Sequence, residues 1–301
     1  MMEDIFSLFP NAIAAPYPNG DKQFYWYKDN HNQYIGIHQE DITDDQKKLL
    51  DIFLEPADFK VDRLNTHSVQ QTWHHFLYLQ DANKLEYLDQ GTYRFIHYNL
   101  IGESMDISDF SEAIFTLLPD STIVWKNHSS GVIIEDITSS MLTKNDFSDV
   151  INTLESDLYT HLRLFIGNHH LLSADTPALF LTEEACFNAV RAINSKIKVT
   201  TISSAFIEML LSGQYQSLCF TLGEHLLNKL KDEEDLIKTV MVYIEANANA
   251  TVAAKQLFLH RNSLNYRLDK FAELTNIDIR SFEEGLSAYL AIRLLEWHQK
   301  D

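Results

Sequence analysis

From about residue 234 to residue 275 the chain runs through three helical periods in quick succession, and no other feature constrains its fold as much. "DLIKTVMVYIEANAN" places Leu236, Val240, Tyr243 and Ile244 together on a helix that stops in the Asn247–Asn249 region. "ATVAAKQLF" follows as a short helix with Ala253 and Ala254 at its middle. "HRNSLNYRLDKFAELT" is the third, with Leu264, Leu268 and Phe271 on one face at i, i+4 and i+7. Small residues in the second helix let the third cross it closely, and Leu257, Leu259 and Leu264 set the crossing. This is the order of a helix-turn-helix, in which the N-terminal end of the third helix projects polar side chains into a DNA major groove.

The residue types on the free face suit that task. Arg261, Asn262, Asn265, Tyr266 and Lys270 are left for the outside, with Arg267 near the boundary. Arginine bonds guanine bidentately, asparagine does the same for adenine, and lysine and tyrosine hold phosphates. With Lys255 on the second helix and His260 and Ser263 at the start of the third, these form the candidate DNA-contacting set. For His260 a capping or packing role is favoured over base reading, and Tyr266 has a half-buried alternative against the first helix. A plain solvated helix surface is the competing reading of the whole face. The fit across two helices and their turn favours DNA.

Charge cuts the other way. The 301-residue chain has a formal net charge of -19, which opposes a polyanion at long range. From Ala250 to Phe271, however, Lys255, Arg261, Arg267 and Lys270 face Asp269 alone. A local basic face on an acidic protein fits specific, well-matched DNA contact better than general phosphate affinity. Hydrophobic residues make up 45%, a globular composition. Cys186 and Cys219 lie far apart, with no CxxC near either, which suits a reduced compartment. The acidic, proline-broken start lacks a signal-peptide pattern, and no apolar run is long enough to span a membrane. The expectation is a cytoplasmic protein with no membrane partner.

The preceding residues read as mixed structure. "KQFYWYKDNHNQYIGIHQ" is a β-hairpin around a turn at Asp29, Asn30, His31 and Asn32. Thr43 and Gln46 stand at capping-box spacing before a helix, and "SVQQTWHHFLYLQD" is another helix. "TYRFIHYNLIG" alternates as a strand, "DISDFSEAIFTLLP" is a helix ending before Pro119, and "STIVWKN" and "GVIIED" form a hairpin. "TKNDFSDVINTLESDLYTHL" is a long helix with Phe147, Val150, Ile151, Leu154 and Leu158 on one face. "LRLFIGNHH" either completes that helix or forms a strand. "TEEACFNAVRAIN" and "KIKVTTI" add one more helix and strand. The order β-α-β-β-α, with an optional closing β, is the ferredoxin-like pattern. From Ser203 every pattern is helical. The fold class is therefore α+β: an N-terminal α+β region over 1–90, a central βαββα domain over 91–202, and a helical region over 203–301 whose DNA-binding part begins at about 234.

A family resemblance rests on "TVMVYIEANANATVAAKQLFLHRNSLNYRLDKFAELTNIDI". Tyr243, Ile244, Glu245, Asn247, Ala253, Ala254, Leu257, Leu259, His260, Arg261, Asn262, Ser263, Leu264, Tyr266, Arg267 and Leu268 resemble the C-terminal DNA-binding domain of PucR/CdaR bacterial transcription regulators. The H-R-N-S-L-x-Y-R-L run is long and fixed in spacing, and the match covers about the last fifth of the chain. Phe258 departs from the general pattern, since many such turns carry Gly there. The resemblance implies a regulator, and it implies that the central domain is similar to a degenerate cyclase domain. The hairpin that carries the Gly-Gly-acidic signature in cyclases reads "NHSSGVIIED" here, without that motif.

Other chemistry finds little support. His74–His75 and His169–His170 are adjacent pairs, there is no HExxH, GxSxG or GxxxxGKS, and no metal or cofactor is expected. "GNHH" at Gly167–His170 resembles one metallophosphoesterase element, but the partner elements are absent. Cys186 reads as a buried apolar residue, and "FYWY" at Phe24–Tyr27 as strand core. One recognition helix reads few base pairs, so a homodimer on double-stranded DNA is expected, with a small-molecule effector as a further partner. The rivals are a nucleotide-processing enzyme and a protein-binding adaptor that has lost DNA contact.

Overall fold

The computed structural model describes residues 5–6, 8–15, 23–28, 34–56, 65, 67–101, 107–127, 129–137, 142–158, 160–227, 230 and 233–298. The chain divides into two compact units, 1–71 and 72–301.

In the first unit, alternating aromatic and β-branched residues form the expected antiparallel pair. β1 (Ile13–Ala15), β2 (Phe24–Lys28), β3 (Tyr34–His38) and β4 (Glu55–Pro56) lie in the order β1-β3-β2-β4. Tyr27, Ile35 and Ile37 are buried. Gly36 pairs with Trp26, and a Cβ there would meet the indole at 2.9 Å, so the ring needs a glycine opposite it. The Asp29–Asn32 turn lies outside the described residues. α1 (Asp44–Phe53) opens with the capping box, Thr43 N–H donating to Gln46 Oε1 at 2.9 Å. α2 (Ser68–Leu77) follows and carries the chain from the first unit into the second.

The second unit contains the ferredoxin-like order, with its closing strand. β5 (Thr92–Ile101), α3 (Ile107–Leu117), β6 (Thr122–Asn127), β7 (Ser130–Asp136), α4 (Lys144–Leu158) and β8 (His161–Leu171) build an antiparallel layer ordered β6-β7-β5-β8. β9 (Val199–Thr201) extends it, parallel to β8. β5 does not alternate between core and solvent. It is central, and every residue from Tyr93 to Leu100 is buried. Its polar members therefore need partners: Arg94 Nε donates to Glu135 Oε2 at 2.7 Å, and Arg94 Nη1 to the Leu142 carbonyl at 3.0 Å.

The long helix ends earlier than its periodicity suggests. α4 stops at Leu158, and "LRLFIGNHH" is strand, because the free edge of β5 takes the backbone bonds of β8 from Ile101↔His161 to Thr92↔Leu171. Phe147, Ile151 and Leu154 are buried as expected, while Val150 and Leu158 lie outside the described side chains.

α5 (Thr176–Ile193) begins with Pro177 in its first turn, where a missing N–H costs nothing. Thr201 ends β9 and also caps α6 (Ile202–Ser212), accepting from Ser204 N–H at 3.2 Å. Gly213, at φ 68°, closes α6 in the left-handed region. α7 (Gln216–Leu227), α8 (Glu234–Glu245), α9 (Ala250–Gln256), α10 (Arg261–Thr275) and α11 (Phe282–His298) complete the order. One apolar cluster runs from Phe165 on the sheet through Phe187, Phe206 and Leu222 to Val240, Phe271 and Ile292.

Candidate nucleic-acid interface

α8, α9 and α10 are the three helices read from the sequence, and their ends are closed by local chemistry. The Asn249 side chain caps α9, accepting from the Thr251 and Val252 N–H groups at 3.1 Å each. At the end of α9, Phe258 N–H donates to the Lys255 carbonyl at 3.2 Å and Leu259 N–H to the Ala254 carbonyl at 2.8 Å. That pair of bonds is a Schellman motif with Phe258 in the left-handed position, φ 55°. His260 then caps α10, its Nδ1 accepting from Asn262 N–H at 3.2 Å.

Packing leaves one face of α10 free. Leu264, Leu268 and Phe271 are buried, as are Ala253, Ala254 and Val240 on the helices they meet, and Leu257 and Leu259 are half-buried. Arg261, Asn262 and Ser263 are exposed, Asn265 is half-buried, and Lys255 is exposed on α9. Tyr266 is 70% exposed, so it does not pack against α8 as its alternative reading had it.

The cations are not equally free. Arg267 Nη1 donates to the Thr239 hydroxyl at 2.9 Å, and its Nη2 lies 3.8 Å from Asp235 Oδ2. Lys270 is paired with Glu233. Both basic groups thus face α8. Among the described residues, Arg261 and Lys255 form no ion pair. On the other flank of α10, Arg280 Nη2 pairs with Asp269 Oδ1 at 2.6 Å. Arg280, Arg261 and Asn265 line an open concavity of about 640 Å³ with Asn247, Asn249 and Thr251. Arg280, Asn249 and Thr251 were not among the candidates. Asn249 could have been found as a cap before "ATVAAK", whereas only the tertiary fold brings Arg280 to α10.

His170 of the second histidine pair, together with His97, lies beside a buried carboxylate. On β8, His170 Nε2 lies 2.8 Å from Glu183 Oε1, which also accepts from Asn168 N–H at 2.8 Å. His97 Nε2 is 3.6 Å from Glu183 Oε2, a charge neighbour rather than a hydrogen-bond partner. Burial alone would raise the Glu183 carboxyl, but His170 and His97 hold it down to about 2. Gly167 belongs to this cluster, since a Cβ there would stand 2.2 Å from Glu183 Oε2. "GNHH" is therefore explained by packing around a buried carboxylate. Among the described residues no three His, Cys, Asp or Glu side chains converge as metal ligands, and no helix is long and apolar enough to cross a membrane.

Two closely crossed helices with capped ends and a polar outward face define a helix-turn-helix protein. Residues 236–294 match the model of the PucR C-terminal helix-turn-helix domain. The uncharacterised Bacillus subtilis protein YxkF is 31% identical over 291 residues, covering 96% of this chain and 97% of its own. The proline-responsive transcriptional activator PutR of Bacillus subtilis is 41% identical over 73 residues, 23% of this chain and 18% of its own. The carbohydrate diacid regulator of Escherichia coli is 36% identical over 69 residues, again 23% and 18%. The chain belongs to the PucR/CdaR family of bacterial transcriptional regulators.

Proposed function

We propose that this regulator binds double-stranded DNA sequence-specifically, as a cytoplasmic homodimer, through the N-terminal half of α10. The observation that carries the reading is the exposed run Arg261, Asn262, Ser263 and Tyr266 on a helix whose opposite face, Leu264, Leu268 and Phe271, is buried. Arg261 and Asn265 are the base readers, and Lys255 and the Tyr266 hydroxyl hold phosphates. Arg267 and Lys270, occupied by α8, act on DNA only through the placement of α10. Two copies on half-sites one DNA turn apart supply the affinity that one helix lacks. The residues over 1–90 and 91–202 receive an effector and build the dimer, without catalysis.

The adaptor reading has one observation in its favour. With Arg267 and Lys270 engaged by Asp235 and Glu233, the cationic face is narrower than the sequence count. DNA selection separates the two. Random duplexes are enriched on the purified protein at ~100 mM salt, low enough to retain phosphate contacts, beside an Arg261→Ala/Asn265→Ala variant. A two-fold-symmetric motif that is lost in the variant is expected. No enrichment with or without a cell metabolite extract would leave the adaptor.

A further inference from the structure

We propose that Phe258 is a DNA-contacting residue, an apolar contact placed between the phosphate-binding Lys255 and the base-reading Arg261. The inference rests on the reading that α10 binds DNA, and it adds a contact of a different chemistry.

Phe258 is 96% exposed, so the fold makes almost no use of its ring. Its backbone is also in the left-handed region, φ 55°, where a side chain with a Cβ is strained and glycine is the usual occupant. The Schellman bonds that end α9 come from the Phe258 and Leu259 backbones, and a glycine would make them equally well. Gly213, Asn247 and Asn276 take the left-handed positions that close α6, α8 and α10, and Gln80 and Ala248 are left-handed as well. Among the described residues Phe258 is the one large aromatic in that region. A strained residue whose side chain serves no packing points to a role outside the fold.

The position identifies the partner. Phe258 and Arg261 are three positions apart, so their Cα atoms lie within ~10 Å of each other. When Arg261 reaches base edges, the ring stands at the margin of the same groove. The apolar groups available there are the thymine 5-methyl and the deoxyribose, and the methyl is the one that carries sequence information.

The experiment uses the full chain and the duplex selected by the wild type. Phe258→Gly and Phe258→Asn both suit the left-handed position and both remove the ring. Phe258→Gly is expected to raise Tm by roughly 2–4 °C through relief of strain, and both variants should keep the wild-type sedimentation mass. Both should bind the selected duplex roughly fivefold to tenfold more weakly, the scale of one lost apolar contact. Uracil in place of thymine should weaken wild type but not the variants if the methyl is read. If uracil makes no difference while the variants still bind weakly, the ring contacts the sugar and the proposal stands. Unchanged affinity in both variants, a fall in Tm, or a changed oligomeric state would overturn it. Arg261→Ala/Asn265→Ala is the control: if that variant binds like wild type, or wild type selects no duplex, the underlying DNA reading fails and takes this inference with it.

Discussion

Arg267 donates to the Thr239 hydroxyl at 2.9 Å, and that hydroxyl donates in turn to the Asp235 carbonyl at 2.6 Å. Thr239 is fully buried, so this chain of bonds braces α10 against α8 from inside the crossing. Arg267→Ala should therefore lower stability by about 1–2 kcal/mol, the cost of orphaned hydrogen bonds, measured by urea unfolding. Its DNA binding should weaken without a change in salt slope. A slope reduced by about one would instead make Arg267 a phosphate contact.

Gly167→Ala should be among the most damaging single substitutions in the sheet. Its Cβ would stand 2.2 Å from Glu183 Oε2 and 2.7 Å from the Phe95 carbonyl, and the Glu183 carboxylate is held in place through its other oxygen by Asn168 N–H and His170. A loss of more than about 3 kcal/mol is expected from overpacking against a buried charge. Near-wild-type denaturant midpoints would contradict the close approach.

The Glu183 carboxyl should set the acid limit of the fold. Its folded value, about 2, lies below that of an unfolded glutamate. The stabilisation is therefore complete above the unfolded value near ~4.3 and is lost as pH falls towards the folded one. Stability of the wild type should fall through this window. Glu183→Gln should be less stable at neutral pH by on the order of 3 kcal/mol, because His97 and His170 lose their carboxylate, and its stability should change less between pH ~4.3 and ~2. Parallel curves for the two proteins would mean that other carboxylates govern the acid transition.

Both cysteines are buried, and burial pushes both thiols up, that of Cys219 to about 11 and that of Cys186 further. The thiolate is the reactive form. Neither should react with iodoacetamide at pH 8 in the native protein, and labelling should follow unfolding. Rapid modification of the native chain would show that one of the two sites opens.

The elements most legible in the sequence were those whose cause is local. The Thr43 capping box, the Leu264/Leu268/Phe271 stripe and the short helix around Ala253 depend on neighbours a few residues away, and all three stand where their patterns placed them. The hairpins and the βαββα order followed from the strand and helix patterns, with the closing strand left open. The stretches that periodicity left open or missed depend on distant residues. "LRLFIGNHH" is strand because β5 offers it an edge, a pairing that periodicity does not reveal. Arg267 and Lys270 look like surface cations in a helical projection, but α8 presents Asp235 and Glu233 to them. Arg280 lies beyond the motif and joins the concavity beside Arg261 only when the chain has folded. Phe258 was visible as a departure from glycine, and its left-handed backbone shows that the turn geometry is kept in spite of the residue.

Thr201 is at once the last residue of a sheet edge and the cap of the helix that follows. There is no spacer at this junction for a protease to cut, and none to absorb a displacement. α6 in turn belongs to the same apolar cluster as α10, so sheet and C-terminal helices are joined by continuous packing and not by a linker.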